Sequence, residues 1–364
     1  MNRIIDLLVF GNATEDFIVH PDELLHIKGP ELAFLKDGVV KKVRVQGDSI
    51  RADEKPRFDG MTIDQVLEGI QSEKQAGGGG LHCAVWLAEN GMKPFYLDVS
   101  VSSDVISERL SEKGVASSFV VYREVPKNLI LDLREFGLGK VVVRGPKLER
   151  VELLEYDHLA KLAYLACSAK ALLLHTPKDT YVVRHFIKEV PDNTQIMFVF
   201  TDSLPRGFVM DELMPRGTAA MSRKGLYKFG EKLGIENSND SLHYSADIMR
   251  ALRLRTLSGY PLLAVTEGEG VVCSAWETVY NVSINPDELG KPKEKEKVTT
   301  SRAEDIFAAA LFYQYLTQAM RHPVDAALSA FISELTHRGY TGARPELFNV
   351  HVVSPRSRTI YAGR

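Results

Sequence analysis

Residues 299–316 read TTSRAEDIFAAALFYQYL, in which a polar turn with two adjacent acids leads into an apolar, alanine-rich helix beginning near Ile306. A helix N-terminus offers unpaired backbone N–H groups to an anion. A carboxylate in the first helical turn, beside such an anion, could act as a general base, which makes Asp305 a candidate catalytic residue. A structural alternative stays open, because Ser301 and Glu304 have the Ser-x-x-Glu spacing of a capping box.

A run of four glycines, Gly77 to Gly80, precedes a second predicted helix, which starts near Leu81 and is closed by Gly91. Glycine lets the backbone approach a ligand closely, so this turn is a candidate ligand-binding element. A dinucleotide fingerprint would require a strand just before the glycines, and the preceding EGIQSEKQA is polar and helix-like. That argues against a nicotinamide or flavin site. A flexible loop is the remaining alternative.

Two further turns follow predicted strands. The strand at Ile4 to Phe10 ends in GNATED, where Asn12 and Asp16 could bind hydroxyl groups or simply cap the turn. The strand from Pro261 to Thr266 ends in the sequence EGEG. A loop at the carboxyl end of a parallel strand is the expected position of a ligand site, although a plain turn explains these residues equally well.

Strands and helices alternate along most of the chain, which predicts a mostly parallel sheet covered by helices on both faces. Residues 38–46 and 118–144 break this rhythm, because they are valine-rich, alternating and punctuated by glycine. They are predicted to be antiparallel strands outside the main sheet that form a small β lid. Surface hairpins without a functional role are the alternative.

The composition is that of an ordinary soluble globular protein: 364 residues, 45% hydrophobic, 26% charged, with a net charge of −3. It gives no reason to expect a nucleic-acid or membrane partner. The N-terminal residues lack a signal peptide's apolar stretch and no run of eighteen apolar residues occurs, so a cytoplasmic location is predicted. The three cysteines and ten histidines show no metal-ligand spacing, which predicts that the protein has no metal site of its own.

In chain order, these four segments resemble the signatures of the ribokinase (PfkB) family of carbohydrate kinases, and the resemblance covers nearly the whole chain. The family's elements are Gly-x-x-x-x-Asp after the first strand, Gly-Gly-x-x-x-Asn before a helix, Thr-x-Gly-x-x-Gly, and a final Asp-Thr-x-Gly-Ala-Gly-Asp. The matching positions are Gly11, Asp16, Gly77, Gly78, Thr266, Gly268, Gly270, Thr300, Ala303 and Asp305.

The resemblance implies a single ribokinase-like domain over residues 1–364, with a three-layer α/β/α architecture and a mostly parallel central sheet. It also implies a β lid from about residues 33–52 and 118–146 and a C-terminal tail at about 340–364. Related proteins often dimerise through this lid, so a homodimer is a further expectation. The charged residues of the two lid segments are the argument against it.

The activity implied by the resemblance is ATP- and Mg²⁺-dependent phosphorylation of a hydroxyl on a sugar, nucleoside or related polyol. Asp305 would take the proton from that hydroxyl. The implied substrate-binding residues are Asn12, Asp16, Gly78, Gly79 and His82. The implied nucleotide- and phosphate-binding residues are Thr266, Gly268, Gly270, Arg302, Ala303 and Glu304.

The sequence departs from the family pattern at the phosphate site. The Gly-Ala-Gly-Asp element reads Arg302-Ala303-Glu304-Asp305, so both glycines are replaced, although Arg302 could supply charge to a phosphate directly. His82 stands where an asparagine is expected, and an Asn-x-x-Glu element linked to magnesium reads SRKG at 222–225. The alternative function is therefore a catalytically impaired homologue that binds a nucleotide or metabolite as a sensor.

Overall fold

In the computed structural model, two β-sheets organise the chain. The structure describes residues 4–48, 50, 56–100, 102–120, 125–145, 156–175, 188–200, 218–236, 241–254, 262–266, 270–275, 278–284, 300–317 and 348–352. The described strands are β1 (Ile5–Phe10), β2 (Thr14–Val19), β3 (Glu23–Lys28), β4 (Glu31–Lys36), β5 (Val39–Gln46), β6 (Arg57–Phe58), β7 (Glu73–Gly77), β8 (Pro94–Asp98), β9 (Ala116–Phe119), β10 (Lys127–Asp132), β11 (Lys140–Arg144), β12 (Ala169–His175), β13 (Gln195–Phe200), β14 (Thr218–Ser222), β15 (Leu262–Thr266), β16 (Gly270–Ala275), β17 (Thr278–Ile284) and β18 (Phe348–Val352). The described helices are α1 (Ile63–Leu67), α2 (Gly79–Glu89), α3 (Asp104–Glu112), α4 (Tyr156–Cys167), α5 (Arg223–Lys232), α6 (Ser241–Leu254) and α7 (Thr300–Thr317).

The main sheet contains ten of the described strands, in the order β18-β17-β16-β15-β14-β13-β12-β1-β8-β9. The strands from β9 to β15 in that order run parallel to one another. The remaining three, β16, β17 and β18, are antiparallel additions at one edge. A parallel sheet is covered on both faces, which explains why β1 and β12 to β14 are almost continuously apolar.

Helices cover both faces of the main sheet. On β1, Leu7 and Val9 face a core shared with α2, α3 and α7, because successive strand side chains point to opposite faces. Leu8 and Phe10 face a second core shared with α4, α5 and α6. The predicted three-layer α/β/α fold with a mostly parallel central sheet is therefore confirmed.

The second sheet is built from eight described strands in the order β3-β4-β5-β6-β11-β10-β2-β7. It has its own apolar core, to which α1 contributes Ile63 and Val66. The sheet is larger than the segments 33–52 and 118–146 predicted for a lid, because β2, β3 and β7 also belong to it. Residues 116–119 do not, since they form β9, which follows α3 and lies parallel to β8 in the main sheet.

The stretch before the glycine run was predicted to be helix-like, and this is wrong for residues 73–77. They form β7, an edge strand paired antiparallel with β2. An edge strand with mostly exposed side chains need not show the apolar alternation by which strands are recognised. The argument that no strand precedes the glycines is therefore wrong as well. A dinucleotide fingerprint is instead disfavoured because β7 is an antiparallel edge strand of the second sheet and not the strand of a parallel βαβ unit.

The two sheets are joined beside the N-terminus of α2. Residues 11–13 carry the chain from β1 into β2, and Gly78 carries it from β7 back into α2. At the other end of the chain, β18 forms the predicted strand of the C-terminal segment and pairs with β17, while the rest of residues 340–364 lies outside the described part. None of the described helices is long and apolar enough to span a bilayer.

Candidate functional site

Two glycine contacts bring the N-terminus of α2 directly against the end of β1. A Cβ atom on Gly11 would lie 2.6 Å from the Cα of Gly80, which is too close for any side chain. Gly78, the N-cap of α2, has a φ angle of +107°, and a Cβ there would overlap the carbonyl oxygen of Asn12. The glycine run is therefore a fixed packing element of the described structure.

Gly79, the first residue of α2, lies against two polar side chains from other parts of the chain. A Cβ on Gly79 would overlap the ring of His175 and lie 2.7 Å from Oδ1 of Asp305. The absence of a side chain thus lets α2, the end of β12 and the start of α7 meet at one point.

Asp305 lies at that meeting point and is 4% exposed. Its Oδ1 atom is 2.7 Å from Nε2 of His175, and its Oδ2 atom is 3.2 Å from Nδ1 of His82. The thiol of Cys83 donates to the backbone carbonyl of Asp305 at 3.3 Å. Both carboxylate oxygens are therefore engaged by imidazole rings.

The described part of α7 begins at Thr300, so Asp305 is its sixth residue and lies in the second turn. The prediction that Asp305 occupies the first turn is wrong by one turn. The capping-box interpretation is also wrong, because Ser301 is already helical and an N-cap residue has non-helical dihedral angles. The actual start of the helix could not be read from the sequence, since the residues on both sides of Ser301 tolerate a helix.

The two histidines set the charge state of Asp305. Burial alone would raise the pKa of this carboxyl, but the charge interaction and hydrogen bond with His175, followed by those with His82, outweigh burial. The pKa of Asp305 consequently lies well below the ordinary value for aspartate, and the group is an ionised acceptor at neutral pH. Cys83 stays a neutral thiol, because burial and the nearby Asp305 raise its pKa.

His175 was not among the residues predicted to form the site. It is the last residue of β12, a strand recognised from its apolar run. The signal that could have identified it is a polar residue at the carboxyl end of a buried parallel strand, which is where such sheets place their sites.

The loop that carries Asn12 is held by a buried acid that the sequence analysis did not single out. Oδ2 of Asp98 accepts the backbone N–H of Ala13 at 2.6 Å and the hydroxyl of Tyr96 at 3.0 Å. Asp98 is the last residue of β8, beside β1, and is fully buried. It therefore positions the turn between the two sheets.

Asp16 projects from β2 of the second sheet. Its Oδ1 atom accepts hydrogen bonds from Nδ2 of Asn128 at 2.7 Å and from the hydroxyl of Thr14 at 2.9 Å. A Cβ on Gly77 would overlap its Oδ2 atom. These contacts tie Asp16 to the second sheet and the glycine run, one residue before Gly78.

A narrow crevice lies between the ends of β13 and β14 and the beginning of α7. Val199, Ser222 and Glu304 are among the residues that line it. Ser222 caps α5, because its Oγ atom accepts the N–H of Gly225 at 3.1 Å. Arg302 and Ala303 precede Glu304 on α7, and their side chains lie outside the described part.

The remaining predicted nucleotide-binding residues lie on an antiparallel hairpin. Thr266 ends β15 and pairs with Gly270 at the start of β16, whereas Gly268 lies outside the described residues. In the described part of the chain, no three His, Cys, Asp or Glu side chains are grouped as a metal site would require. The structure thus brings Gly79, His82 and Asp305 into direct contact, with Gly78 and Asn12 adjacent to them.

Solved structures share this fold over nearly their full length. Adenosine kinase from Schistosoma mansoni in complex with adenosine has a TM-score of 0.64 and 14% sequence identity, covering 93% of this chain and 97% of that one. Phosphofructokinase-2 from Escherichia coli in complex with fructose-6-phosphate has a TM-score of 0.59 and 15% identity, covering 93% and 95%. No protein-family model and no curated protein sequence matches the chain. The predicted ribokinase-like fold is confirmed, and at these identities the likeness is one of fold.

Proposed function

We propose that this protein is an ATP-dependent phosphotransferase that phosphorylates a hydroxyl group of a sugar, nucleoside or related polyol. One observation carries the proposal: an ionised, buried carboxylate, Asp305, lies where the two sheets and the N-terminus of α2 meet. The fold is shared with solved sugar and nucleoside kinases, which makes phosphoryl transfer the reaction class to test first. The proposal includes the cytoplasmic location that the sequence predicts.

The acceptor substrate would bind at the junction of the two sheets. Asn12 and Asp16 offer polar groups to its hydroxyls, and Gly78 and Gly79 allow the backbone to approach it. His82, whose side chain is 25% exposed, stands between this space and Asp305. The proton of the reacting hydroxyl would pass to the cluster around Asp305 as its oxygen attacks the terminal phosphorus in line.

The nucleotide would bind beside this junction, at the start of α7. We assign its contacts to the turn from Thr266 through Gly268 to Gly270 and to Arg302, Ala303 and Glu304. Magnesium is commonly bound by one or two carboxylates together with substrate phosphates, and Glu304 carries a carboxylate in the crevice lining. When bound, magnesium would neutralise developing charge on the phosphates.

The second candidate function is a nucleotide or metabolite sensor without turnover. Two observations favour it: the first turn of α7 lacks glycine, and both oxygens of Asp305 are already engaged by histidines. Glu304 would also repel a phosphate unless a cation lies between them. In this alternative, the protein still binds its ligand but does not transfer a phosphoryl group.

The second sheet would serve as a lid over the acceptor site and as the surface of a homodimer. Its β2 strand carries Asp16 to the junction, while its outer strands β3 and β5 expose Leu25, Ile27 and Val40. Hydrogen exchange with and without bound substrate tests closure, because unchanged protection in β2 and β10 would contradict it. Light scattering decides the oligomeric state.

A coupled assay of ADP release across sugars and nucleosides, run beside ATP-binding calorimetry, tests the function. With a substrate found, Asp305→Asn should lower turnover at least about a hundredfold and leave ATP affinity largely unchanged, because the carboxylate at the centre of the proton-accepting cluster is lost. The matched control is Asp132→Asn, since Asp132 is a buried acid of the second sheet that pairs with Arg134. ATP binding without ADP release from any acceptor would overturn the proposal in favour of the sensor.

A further inference from the structure

The hydrogen bonds of Asp305 fix the tautomers of its two histidine partners. An ionised carboxylate can only accept hydrogen bonds, so each facing ring nitrogen must donate. His175 therefore carries its proton on Nε2, and His82 carries its proton on Nδ1. In its neutral form, each ring then has its other nitrogen as an acceptor: Nδ1 of His175 and Nε2 of His82.

Exposure distinguishes these two acceptor nitrogens. The side chain of His175 is 7% exposed and packs against Gly79, whereas that of His82 is 25% exposed. His82 lies one turn into α2, and its backbone N–H bonds the carbonyl of Gly78, the residue that connects the two sheets. The acceptor nitrogen that a ligand at this junction can reach is thus Nε2 of His82.

We infer that Nε2 of His82 is the atom that accepts the proton of the substrate hydroxyl, and that Asp305 orients the ring and stabilises the imidazolium. The inference rests on the proposed phosphotransferase function. The hydroxyl O–H bond breaks and its proton moves to Nε2. The oxygen forms a bond to the terminal phosphorus with its electron pair, ADP leaves with the pair of the broken P–O bond, and the imidazolium later releases its proton to water.

This arrangement follows the logic of a carboxylate–histidine pair, in which the carboxylate holds one ring nitrogen and the other acts as the base. The two carboxylate oxygens of Asp305 already accept hydrogen bonds from imidazoles, so neither faces the substrate hydroxyl as the proton acceptor. His175 engages the oxygen opposite the one that contacts His82. It is therefore a positioning residue that fixes the carboxylate.

The titratable groups around this pair come from three elements. α2 contributes His82 and Cys83, β12 contributes His175 and α7 contributes Asp305. Cys83 remains a neutral thiol, since burial raises its pKa, and Asp305 stays ionised. The ring nitrogens that do not face Asp305 are therefore the proton acceptors of this cluster.

The deciding experiment is the pH dependence of kcat/KM with an acceptor identified by the ADP-release screen. In the wild type, kcat/KM should fall with unit slope toward acid pH, because a base that is already protonated cannot accept the proton of the hydroxyl. His82→Asn should lower kcat/KM at least about a hundredfold and remove this acid limb. His82→Gln serves as a second variant, and ATP-binding calorimetry confirms that each variant is folded.

Two histidine controls accompany it. His175→Gln keeps a side-chain donor toward Asp305, so it should cost no more than about tenfold and retain the acid limb. His26→Asn alters an exposed histidine of β3, which pairs with Glu31, and should match the wild type. Nitrogen-15 spectra of the histidine rings should show His82 protonated at Nδ1.

The contrary results distinguish a failure of the proposed function from a failure of this inference. An inactive wild type overturns the proposed function and this inference with it. An active wild type whose His82→Asn and His82→Gln variants stay within about threefold, or keep the acid limb, overturns the inference and leaves the phosphotransferase standing. A limb lost only in His175→Gln, or a His82 ring protonated at Nε2 alone, overturns it as well.

Discussion

Two helices, α2 and α7, begin at the same junction, and they begin differently. α2 opens on glycines, of which Gly79 leaves no space for a methyl group beside Asp305 and His175. α7 opens on Thr300, Ser301 and Arg302, without a glycine in its first turn. One helix start is shaped for close backbone packing, and the other has a residue with a side chain at every position of its first turn.

The difference indicates how the two halves of the site would hold their ligands. At the start of α2, close packing fixes a carboxylate and two imidazoles, which is a requirement of proton transfer over hydrogen-bond distances. At the start of α7, Arg302 and Glu304 replace the glycines that would let backbone N–H groups face a phosphate. At the start of α7, a phosphate would therefore be bound by charged side chains instead of backbone N–H groups.

The largest expected effect comes from giving the start of α2 a side chain. Gly79→Ala places a methyl group 2.7 Å from Oδ1 of Asp305 and into the ring of His175. A displacement of about 1 Å at the reacting groups costs roughly a hundredfold in rate, so kcat/KM should fall by at least about that factor. Overpacking should also lower the free energy of unfolding by about 2 kcal/mol in urea titrations.

The control for that variant separates crowding from backbone strain. Gly91 has a φ angle of +85° and nothing within 4 Å of a Cβ position. Gly91→Ala should therefore cost about 1 kcal/mol of stability through its dihedral angle alone, with activity retained. Equal activity losses in both variants would contradict the role given to Gly79.

The contrast between the two helix starts also marks what the sequence could predict. Order and spacing of the turns predicted the main sheet and its helices, and the family resemblance assigned Gly79, His82 and Asp305 to one site. The contact with His175 joins residues 130 positions apart, and no local pattern encodes it. His82 was assigned to the substrate, and its bond to Asp305 is a property of tertiary packing.

The second sheet was the least predictable part of the fold. Its strand β7 is polar because its side chains are exposed at an edge, and β9 was misassigned because a strand after a short helix resembles a hairpin strand in sequence. The start of α7 was misplaced by one turn for a similar reason, since Thr300 and Ser301 are compatible with both a cap and a helix.

A variant with a smaller expected effect tests the binding of the nucleotide phosphates separately from the binding of the acceptor substrate. If Arg302 supplies charge to the phosphates, Arg302→Ala should weaken ATP binding about tenfold, the size expected for one charge-assisted hydrogen bond. Adenosine binding should change little. Calorimetry with both ligands measures the difference.

Ser301→Ala is the matched control, because Ser301 is the neighbouring residue in the same helical turn. It should leave both affinities near the wild-type values. If Arg302→Ala weakens ATP and adenosine equally, Arg302 does not face the phosphates, and the start of α7 would have to bind its ligand through the backbone, as proposed for α2.

The variant with the smallest expected effect tests whether the acceptor-substrate site extends into the second sheet. Nδ2 of Asn128 donates to Oδ1 of Asp16 across neighbouring strands β10 and β2. Asn128→Ala removes one neutral-to-charged hydrogen bond from a partly buried acid, so the KM for the acceptor should rise about three- to tenfold. The value of kcat should change less, because the Asp305 cluster is untouched. The control is Asn90→Ala, which removes a side-chain hydrogen bond to a backbone carbonyl at the end of α2. An acceptor KM that stays at the wild-type value in Asn128→Ala would confine the acceptor site to the main sheet and the start of α2, and would remove Asp16 from it.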